Sequence, residues 1–336
     1  MAKHRPATRQ TSPSRSVQSA DWAFHADDDA VLDALVSGRH AQSLREYFGT
    51  PAYAQLSVLA AAAKRAKKPR GPKVLILPGI MGSKIGDAPR NAAAGARTGT
   101  RRRGAPSKVL WIDPLQIAAG RLTALALPSG RALCAVGVLL FSYAKLKLEL
   151  ELGGREARFH AYDWRLGLDE LGAQLAASIV ADREPVILVA HSMGGLVARM
   201  AARMLPKRWV RRLIMLGTPN EGSFASVQAL RGTYPFVRKM SRLDHRHSAE
   251  YLAAKVLTPF PGCTTCCRRG AWRESTCSIR AAGRRTAPRR APGFSGKWRP
   301  YAPHSHRRIH AWFISSASIR RRWSACAAPP SDLNTS

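Results

Sequence analysis

The sequence predicts an α/β fold with a parallel central sheet, because strand and helix patterns alternate along it. Short apolar runs of the kind that form buried strands alternate with longer amphipathic helical patterns between residues 73 and 216. Strands joined by helices in this way usually pack in parallel, with the helices covering the sheet. Helical patterns also precede the first strand, near 27–37, 40–48 and 51–66, with Thr50 as candidate N-cap of the third.

The alternation runs in order along the chain. Residues 73–77 predict a buried strand, which Pro78-Gly79 ends. The segments that follow predict a strand, a helix, a strand, a helix and a strand at 157–162, 167–181, 186–190, 193–204 and 211–216. Residues 224–257 predict a helical insertion of the kind that caps an active site.

Charge and composition divide the chain. Its 336 residues carry 54 Lys and Arg against 21 Asp and Glu, a formal charge of +33. Residues 263–336 hold 15 of the basic residues, two acidic ones and five of the six cysteines. We therefore expect a disordered basic leader (1–26), N-terminal helices (27–70), an α/β core (71–262) and a basic tail (263–336) that is disordered.

The sequence lacks the apolar segments of an exported or membrane-spanning protein. Residues 1–20 are polar and basic, without the apolar stretch of a signal peptide. The longest apolar stretch, Ala132 to Ala144, has 13 residues and predicts a buried core helix or an interfacial segment. We expect a cytoplasmic protein that contacts membranes at most peripherally.

The most specific motif is P-V-I-L-V-A-H-S-M-G-G-L-V-A-R at 185–199. A strand, a tight turn at Ser192 and a helix form the nucleophile elbow of serine hydrolases, where the serine hydroxyl is exposed at the carboxyl end of the sheet. Small neighbours are needed because the backbones pack closely, and Ala190, Gly194 and Gly195 meet that need. The alternative is a buried strand and helix with an incidental serine.

Serine attack on an acyl carbonyl creates an oxyanion, which backbone N–H groups must stabilise. One donor usually comes from the residue after the nucleophile, Met193, and the other from a loop after an earlier strand. The loop P-G-I-M-G-S at 78–83 suits that role, with Ile80 as donor and with Gly79 and Gly82 allowing close approach. A turn without function is the alternative.

Four motifs together resemble one known family. They are V-L-I-L-P-G-I-M-G-S (74–83), Y-D-W-R (162–165), A-H-S-M-G-G (190–195) and L-G-T-P-N-E-G-S (216–223). In this order they resemble the lecithin:cholesterol acyltransferase-like α/β-hydrolases, over about residues 70–262. The resemblance implies an α/β-hydrolase fold and a lipase, esterase or acyltransferase that acts on lipid acyl esters through Ser192. For Asp163 and Arg165, a structural ion pair is at least as good an explanation as a catalytic role.

The rest of the catalytic triad is not identifiable. In this fold the acid and then the histidine follow the serine, each after a strand. His304, His306 and His310 precede Asp332, which reverses that order, and His245 and His247 are expected to be solvated surface side chains. The Arg- and Cys-rich tail predicts a frameshift near codon 262, so the C-terminal part of the fold is expected to be missing and the chain inactive.

Two other interpretations of the tail stay open. Cys263, Cys266 and Cys267 with later histidines suggest zinc, but no second pair follows at finger spacing, and we expect no metal and no cofactor. The charge favours nonspecific binding of polyanions, without a specific nucleic-acid partner. The second functional hypothesis is therefore a non-catalytic module that binds nucleic acid or anionic membranes through its basic tail.

Overall fold

The computed structural model describes residues 22–66, 69, 71–88 and 108–258. The strands are β1 (Lys73–Leu77), β2 (Ser83–Asp87), β3 (Val109–Trp111), β4 (Leu133–Val138), β5 (Ala157–Phe159), β6 (Val186–His191) and β7 (Val210–Leu216). The helices are α1 (Asp28–Ser37), α2 (Ala41–Phe48), α3 (Thr50–Arg65), α4 (Pro114–Ala118), α5 (Leu140–Leu152), α6 (Leu168–Asp182), α7 (Met193–Met204), α8 (Phe224–Leu230), α9 (Pro235–Leu243) and α10 (Ala249–Leu252). A 3₁₀ helix (Arg121–Leu125) and a π-helical turn (Ala253–Leu257) complete these elements.

The main sheet is parallel throughout, which confirms the predicted fold class. Its strand order is β5-β1-β6-β7, so β1 lies between β5 and β6. Leu77, the last residue of β1, pairs with Ala190 near the end of β6. The loop after β1 and the turn after β6 therefore leave the sheet side by side at its carboxyl edge.

Helices cover both faces of this sheet because its strands alternate two sets of apolar side chains. Val74, Ile76 and Val189 pack with the N-terminal helices and α5. Leu75, Leu77 and Leu188 face the opposite way and pack with α6 and α7. The N-terminal helices are thus part of the same core as the sheet.

A second, antiparallel sheet was not predicted. It has the order β3-β2-β4 and includes part of the stretch from Ala132 to Ala144, which we expected to be a buried core helix or an interfacial segment. That expectation is wrong, since the stretch contains the whole of β4 up to Val138 and then begins α5 at Leu140. A short apolar run fits a buried strand as well as a helix, and periodicity alone does not separate them.

The N-terminal boundary also differs from expectation. We placed residues up to 26 in a disordered leader, yet Ala23 and Phe24 are buried and the Phe24 ring packs edge-on against Tyr47. His25 lies 3.3 Å from the Asp113 carboxylate. Residues 22–26 are therefore held in place by contacts of their apolar side chains with the rest of the protein.

One smaller difference concerns the start of α3. Gly49, with φ of 84°, is the N-cap, and the predicted N-cap Thr50 is already helical. Glycine accepts this backbone angle without strain, which lets α2 turn directly into α3. The remaining predicted helices and strands agree with the structure to within a few residues.

The segment after β5 is held by a buried ion pair. The Arg165 guanidinium contacts the Asp163 carboxylate at two points, Nε to Oδ1 at 2.8 Å and Nη2 to Oδ2 at 2.6 Å. It also donates to the Leu125 carbonyl at 3.1 Å. Both residues are buried. The structural interpretation of this pair therefore holds.

The strand β7 forms one edge of the described sheet. It pairs with β6 on one side, and no described strand pairs with its other side. Ile214, Met215 and Leu216 remain about 40% exposed. Residues 22–258, with their gaps, thus leave an apolar strand edge uncovered. The predicted tail (263–336) and most of the predicted leader lie outside the described residues.

We predict that Asp163→Ala destabilises the protein by about 3 kcal/mol, because it leaves a buried guanidinium unpaired. Urea unfolding measures the loss. The control is Asp87→Ala, since Asp87 pairs with Arg131 where both side chains are exposed. That pair should contribute less than about 1 kcal/mol. Equal losses in the two variants would contradict the buried role of Asp163.

We predict that the β7 edge promotes self-association, so Ile214→Lys should raise the soluble concentration severalfold by placing a charge on the edge. Size-exclusion chromatography over a concentration series measures it. Val58→Lys is the control, because Val58 is equally apolar and 72% exposed but lies on a helix. An equal rise in soluble concentration for Ile214→Lys and Val58→Lys would contradict self-association through the β7 edge.

Candidate functional site

Ser192 lies in the sharp turn between β6 and α7. Its φ of 51° and ψ of −123° are rare for a residue with a side chain. Such a conformation costs about 1–3 kcal/mol and persists only where the surroundings enforce it. The Ser192 N–H donates to the Leu216 carbonyl at 2.8 Å, which ties the turn to the end of β7. The serine hydroxyl makes no hydrogen bond to any other described residue.

Close packing around the turn explains its small residues. A Cβ on Gly194 would collide with the Pro78 carbonyl oxygen, and one on Gly195 would overlap the Thr218 side chain. A Cβ on Gly79 would lie 3.1 Å from Ser192 Cβ. The predicted glycines therefore mark the places where the loop after β1 and the turn after β7 contact the elbow.

Met193 and Ile80, the two predicted oxyanion donors, lie on either side of this contact. Met193 is the first residue of α7, and Ile80 follows Gly79 in the loop that touches Ser192. Within the described part of the chain, neither backbone N–H is engaged in a hydrogen bond. The Gly79 N–H, by contrast, donates to the Tyr143 hydroxyl at 2.9 Å. Of the N–H groups of Gly79, Ile80 and Gly82, that of Ile80 is accordingly the one without a partner.

Side chains of aromatic residues fix the same loop from several directions. Trp111 donates to the Met81 carbonyl at 2.9 Å, Tyr162 to the Pro78 carbonyl at 2.7 Å and Trp164 to the Ser83 carbonyl at 3.1 Å. The Gly82 N–H closes the turn on the Gly79 carbonyl. The loop backbone is therefore held rigidly, as donors to a developing charge must be.

An apolar cavity opens beside this loop. It lies between Met81, the 3₁₀ helix and the helical insertion, and its walls are entirely apolar. Its lining residues are Met81, Trp111, Leu122, Leu125, Trp164, Phe236, Val237, Met240, Leu252, Val256 and Leu257. The insertion at 224–257 thus covers the region next to the candidate donor Ile80, where we expected a cap.

No histidine of the described residues hydrogen-bonds the Ser192 hydroxyl. His191 precedes the serine, but its Nδ1 lies 3.0 Å from the Tyr143 hydroxyl. Burial lowers the pKa of His191, and it lowers the pKa of His160 to about 4. Both imidazoles are therefore neutral at pH 7. His304, His306 and His310 lie outside the described residues.

His247 differs from the solvated side chain that we expected. Its Nδ1 lies 3.0 Å from the buried Asp244 carboxylate, and its ring stacks on Tyr251. Asp244 also accepts the N–H groups of Arg246 and His247. The pair therefore closes the turn between α9 and α10 in the insertion.

The sequence did not indicate Tyr143 and Trp111 as part of the site. Tyr143 lies in the apolar stretch 132–144, and its hydroxyl was the only sign of a polar role.

The turn at Thr218-Pro219-Asn220 follows β7, and the Asn220 N–H closes on the Thr218 carbonyl at 2.9 Å. No three potential metal ligands cluster among the residues that the structure describes. No helix there is long and apolar enough to cross a membrane.

We predict that Gly195→Ala destabilises the protein by about 1–3 kcal/mol, although alanine in a helix ordinarily stabilises it relative to glycine. The added methyl would displace Thr218 and with it the turn after β7. Gly130→Ala is the control, because a Cβ there meets no atom within 4 Å. Urea denaturation compares the two, and a neutral Gly195→Ala would contradict this packing.

A match to a protein family agrees with this architecture. The sequence matches the model of the alpha/beta hydrolase family over residues 137–331. Among solved structures, the chain is similar to the Bacillus licheniformis lipase BlEst2 in its mature form, with 18% sequence identity and a TM-score of 0.30. That match covers 58% of this chain and 60% of the lipase, so the chain spans about 60% of the length of that relative. No curated protein matches the sequence.

The family match covers more than half of the chain and includes the elbow, β7 and the helical insertion. It begins at Gly137, near the end of β4, and also extends through most of the basic tail. The parallel sheet order and the strained turn after β6 are independent of that match. Together they show that this chain belongs to the alpha/beta hydrolase family.

Proposed function

We propose that the protein is a serine hydrolase that cleaves acyl esters through an acyl-enzyme on Ser192. The observation that supports this most directly is the strained turn that holds Ser192 at the carboxyl end of β6. Its hydroxyl has no described partner and is free to act on a substrate. A serine in a purely structural turn would gain nothing from the positive φ, which any glycine would adopt at lower cost.

The N–H groups of Met193 and Ile80 stabilise the oxyanion in this proposal. Attack of Ser192 Oγ on the ester carbonyl moves the π electrons onto the carbonyl oxygen, and collapse of that oxyanion expels the alcohol. Met193 contributes the N–H at the positive end of the α7 dipole. Ile80 contributes the second N–H from a loop whose other backbone groups are largely satisfied. Water, or an acceptor alcohol, then releases the acyl group from the serine.

Lipid acyl esters are the proposed substrate class. The cavity beside Met81 is small, but the side chains around it present an apolar surface to an acyl chain and no polar group to a charged one. The four sequence motifs support the finer assignment to a lipase, esterase or acyltransferase of the lecithin:cholesterol acyltransferase-like kind. The alcohol that receives the acyl group determines which of these reactions occurs.

We further propose that the printed chain is inactive or nearly so. A serine hydroxyl at its ordinary pKa is a weak nucleophile, and a base must take its proton and pass it to the leaving alcohol. No described histidine is in position to do this. The composition of the tail supports a frameshift near codon 262, which would have removed the acid and the histidine. The family match to residue 331 opposes that idea, and the coding DNA decides between them.

A polyanion-binding module is the second candidate. Five exposed basic side chains lie close together in the chain at the end of α7 and along β7, and they add to the charge of +33. They are Arg203, Lys207, Arg208, Arg211 and Arg212. Nonspecific attraction to nucleic acid or anionic membranes would weaken uniformly as salt rises. A lipid or sequence preference that survives at physiological salt would favour this second function.

We predict that a p-nitrophenyl ester leaves an acyl group on Ser192 of the purified chain and that Ser192→Ala abolishes this acylation. Turnover is not the readout, because the oxyanion hole and binding alone support about 10³–10⁴-fold acceleration over water without a working triad, and that residual rate does not need the serine. Intact mass measures the acyl group. Ser57→Ala is the control, because the buried hydroxyl of Ser57 on α3 makes no hydrogen bond. Acylation that survives Ser192→Ala would rule out Ser192 as nucleophile.

Resequencing the coding DNA across codons 255–270 tests the proposed inactivity. We expect another reading frame in which a strand-end Asp is followed by a His, and the chain translated from it should hydrolyse esters much faster. If the printed frame is the only open one, the tail is genuine and the frameshift is refuted.

A further inference from the structure

Tyr143 connects the oxyanion loop to the nucleophile turn. Its hydroxyl lies 2.9 Å from the Gly79 N–H and 3.0 Å from His191 Nδ1. The same oxygen fills the space beside Gly82, where a Cβ would lie 2.9 Å from it. The ring comes from α5 and is buried. One side chain therefore contacts both ends of the 79–82 loop and the residue before Ser192.

One proton of this contact is fixed by the geometry, because the Gly79 N–H donates to the tyrosine oxygen. Burial raises the pKa of Tyr143 and lowers that of His191, so both groups are neutral at pH 7. If the hydroxyl proton is donated to the His191 Nδ1 lone pair, His191 carries its own proton on Nε2. The other tautomer would instead donate from Nδ1 to the same oxygen.

We propose that Tyr143 is a positioning residue for the oxyanion site, in which its hydroxyl fixes the Ile80 N–H relative to Ser192 and the Met193 N–H. The inference rests on the proposed function of Ser192. Gly79 and His191 are the immediate chain neighbours of Ile80 and Ser192, so the hydroxyl joins the two segments that carry the reacting groups.

The consequence of losing the hydroxyl follows from this arrangement. The Gly79 N–H would be left buried without a partner, and the loop would shift or rotate to find one. Donors to an oxyanion contribute only where they point at the position that the charge will occupy, and a displacement of about 1 Å is costly. We expect loss of the hydroxyl to slow the chemical step and to leave substrate binding unchanged, because Tyr143 does not line the apolar cavity that we propose contacts the acyl chain.

The test is the rate at which a fluorophosphonate with an alkyl chain phosphonylates Ser192 in the full chain, followed by intact mass. Phosphonylation passes through an oxyanion-like state, and its saturation kinetics separate binding of the probe from the bond-forming step. We expect Tyr143→Phe to lower the limiting rate about tenfold or more, with probe binding unchanged. Tyr47→Phe removes the hydroxyl of another buried tyrosine, one that does not contact the loop, and should react like the unaltered chain.

A second pair of measurements separates positioning from a loss of folding. His191→Leu removes the acceptor while keeping Tyr143 and should also slow the limiting rate. The ¹⁵N shifts of the His191 ring should show the Nε2–H tautomer, with Nδ1 losing its hydrogen bond in Tyr143→Phe. Equal labelling of Tyr143→Phe and the unaltered chain would overturn the positioning role alone, as would an Nδ1–H tautomer. All reactions contain imidazole as an external base, because no described histidine can take the serine proton. Failure of the unaltered chain to label under these conditions would overturn the proposed function and this role with it.

Discussion

The arrangement of the site depends on the close approach of two backbones at the carboxyl edge of the sheet. The loop after β1 and the turn after β6 meet with the Pro78 carbonyl against Gly194 and with Gly79 against Ser192. Adjacent parallel strands make this meeting possible, since Leu77 and Ala190 pair at the same level of the sheet. No side chain fits between them. The positive φ of Ser192 is stable only because these neighbours enclose it.

A rigid approach of this kind leaves backbone polar groups buried, and aromatic side chains satisfy them. Tyr143, Trp111, Tyr162 and Trp164 each bring one polar atom to the segment 78–83 while their rings fill apolar space. An aromatic side chain can do both because it combines a large apolar body with a single polar atom. Within the described residues this network leaves the Ile80 N–H free, and the proposed chemistry requires that group. Stability and function are therefore served by the same contacts.

Much of this was predictable from sequence, and the failures have physical causes. The strand at 73–77 and the helix at 193–204 were placed correctly because their apolar periodicity and flanking turn residues agree. The antiparallel sheet was missed, since β3 has only three residues and the stretch 132–144 has no period that separates strand from helix. The contact of Tyr143 with Gly79 was not foreseen because it joins residues 64 apart in the chain. The tight turn at Ser192 was predicted because a strand, a turn and a helix are local patterns.

The measurement that tests the central claim most directly is to locate a covalent adduct by peptide mapping. The full chain would be incubated with an alkyl fluorophosphonate and with imidazole as an external base, since no described histidine can take the serine proton. It would then be digested, and the modified peptide would be sequenced by mass spectrometry. The account predicts one adduct, on Ser192, that is absent from Ser192→Ala. An adduct on another residue, or none after prolonged incubation at high probe concentration, would contradict the claim that Ser192 is the nucleophile of this protein.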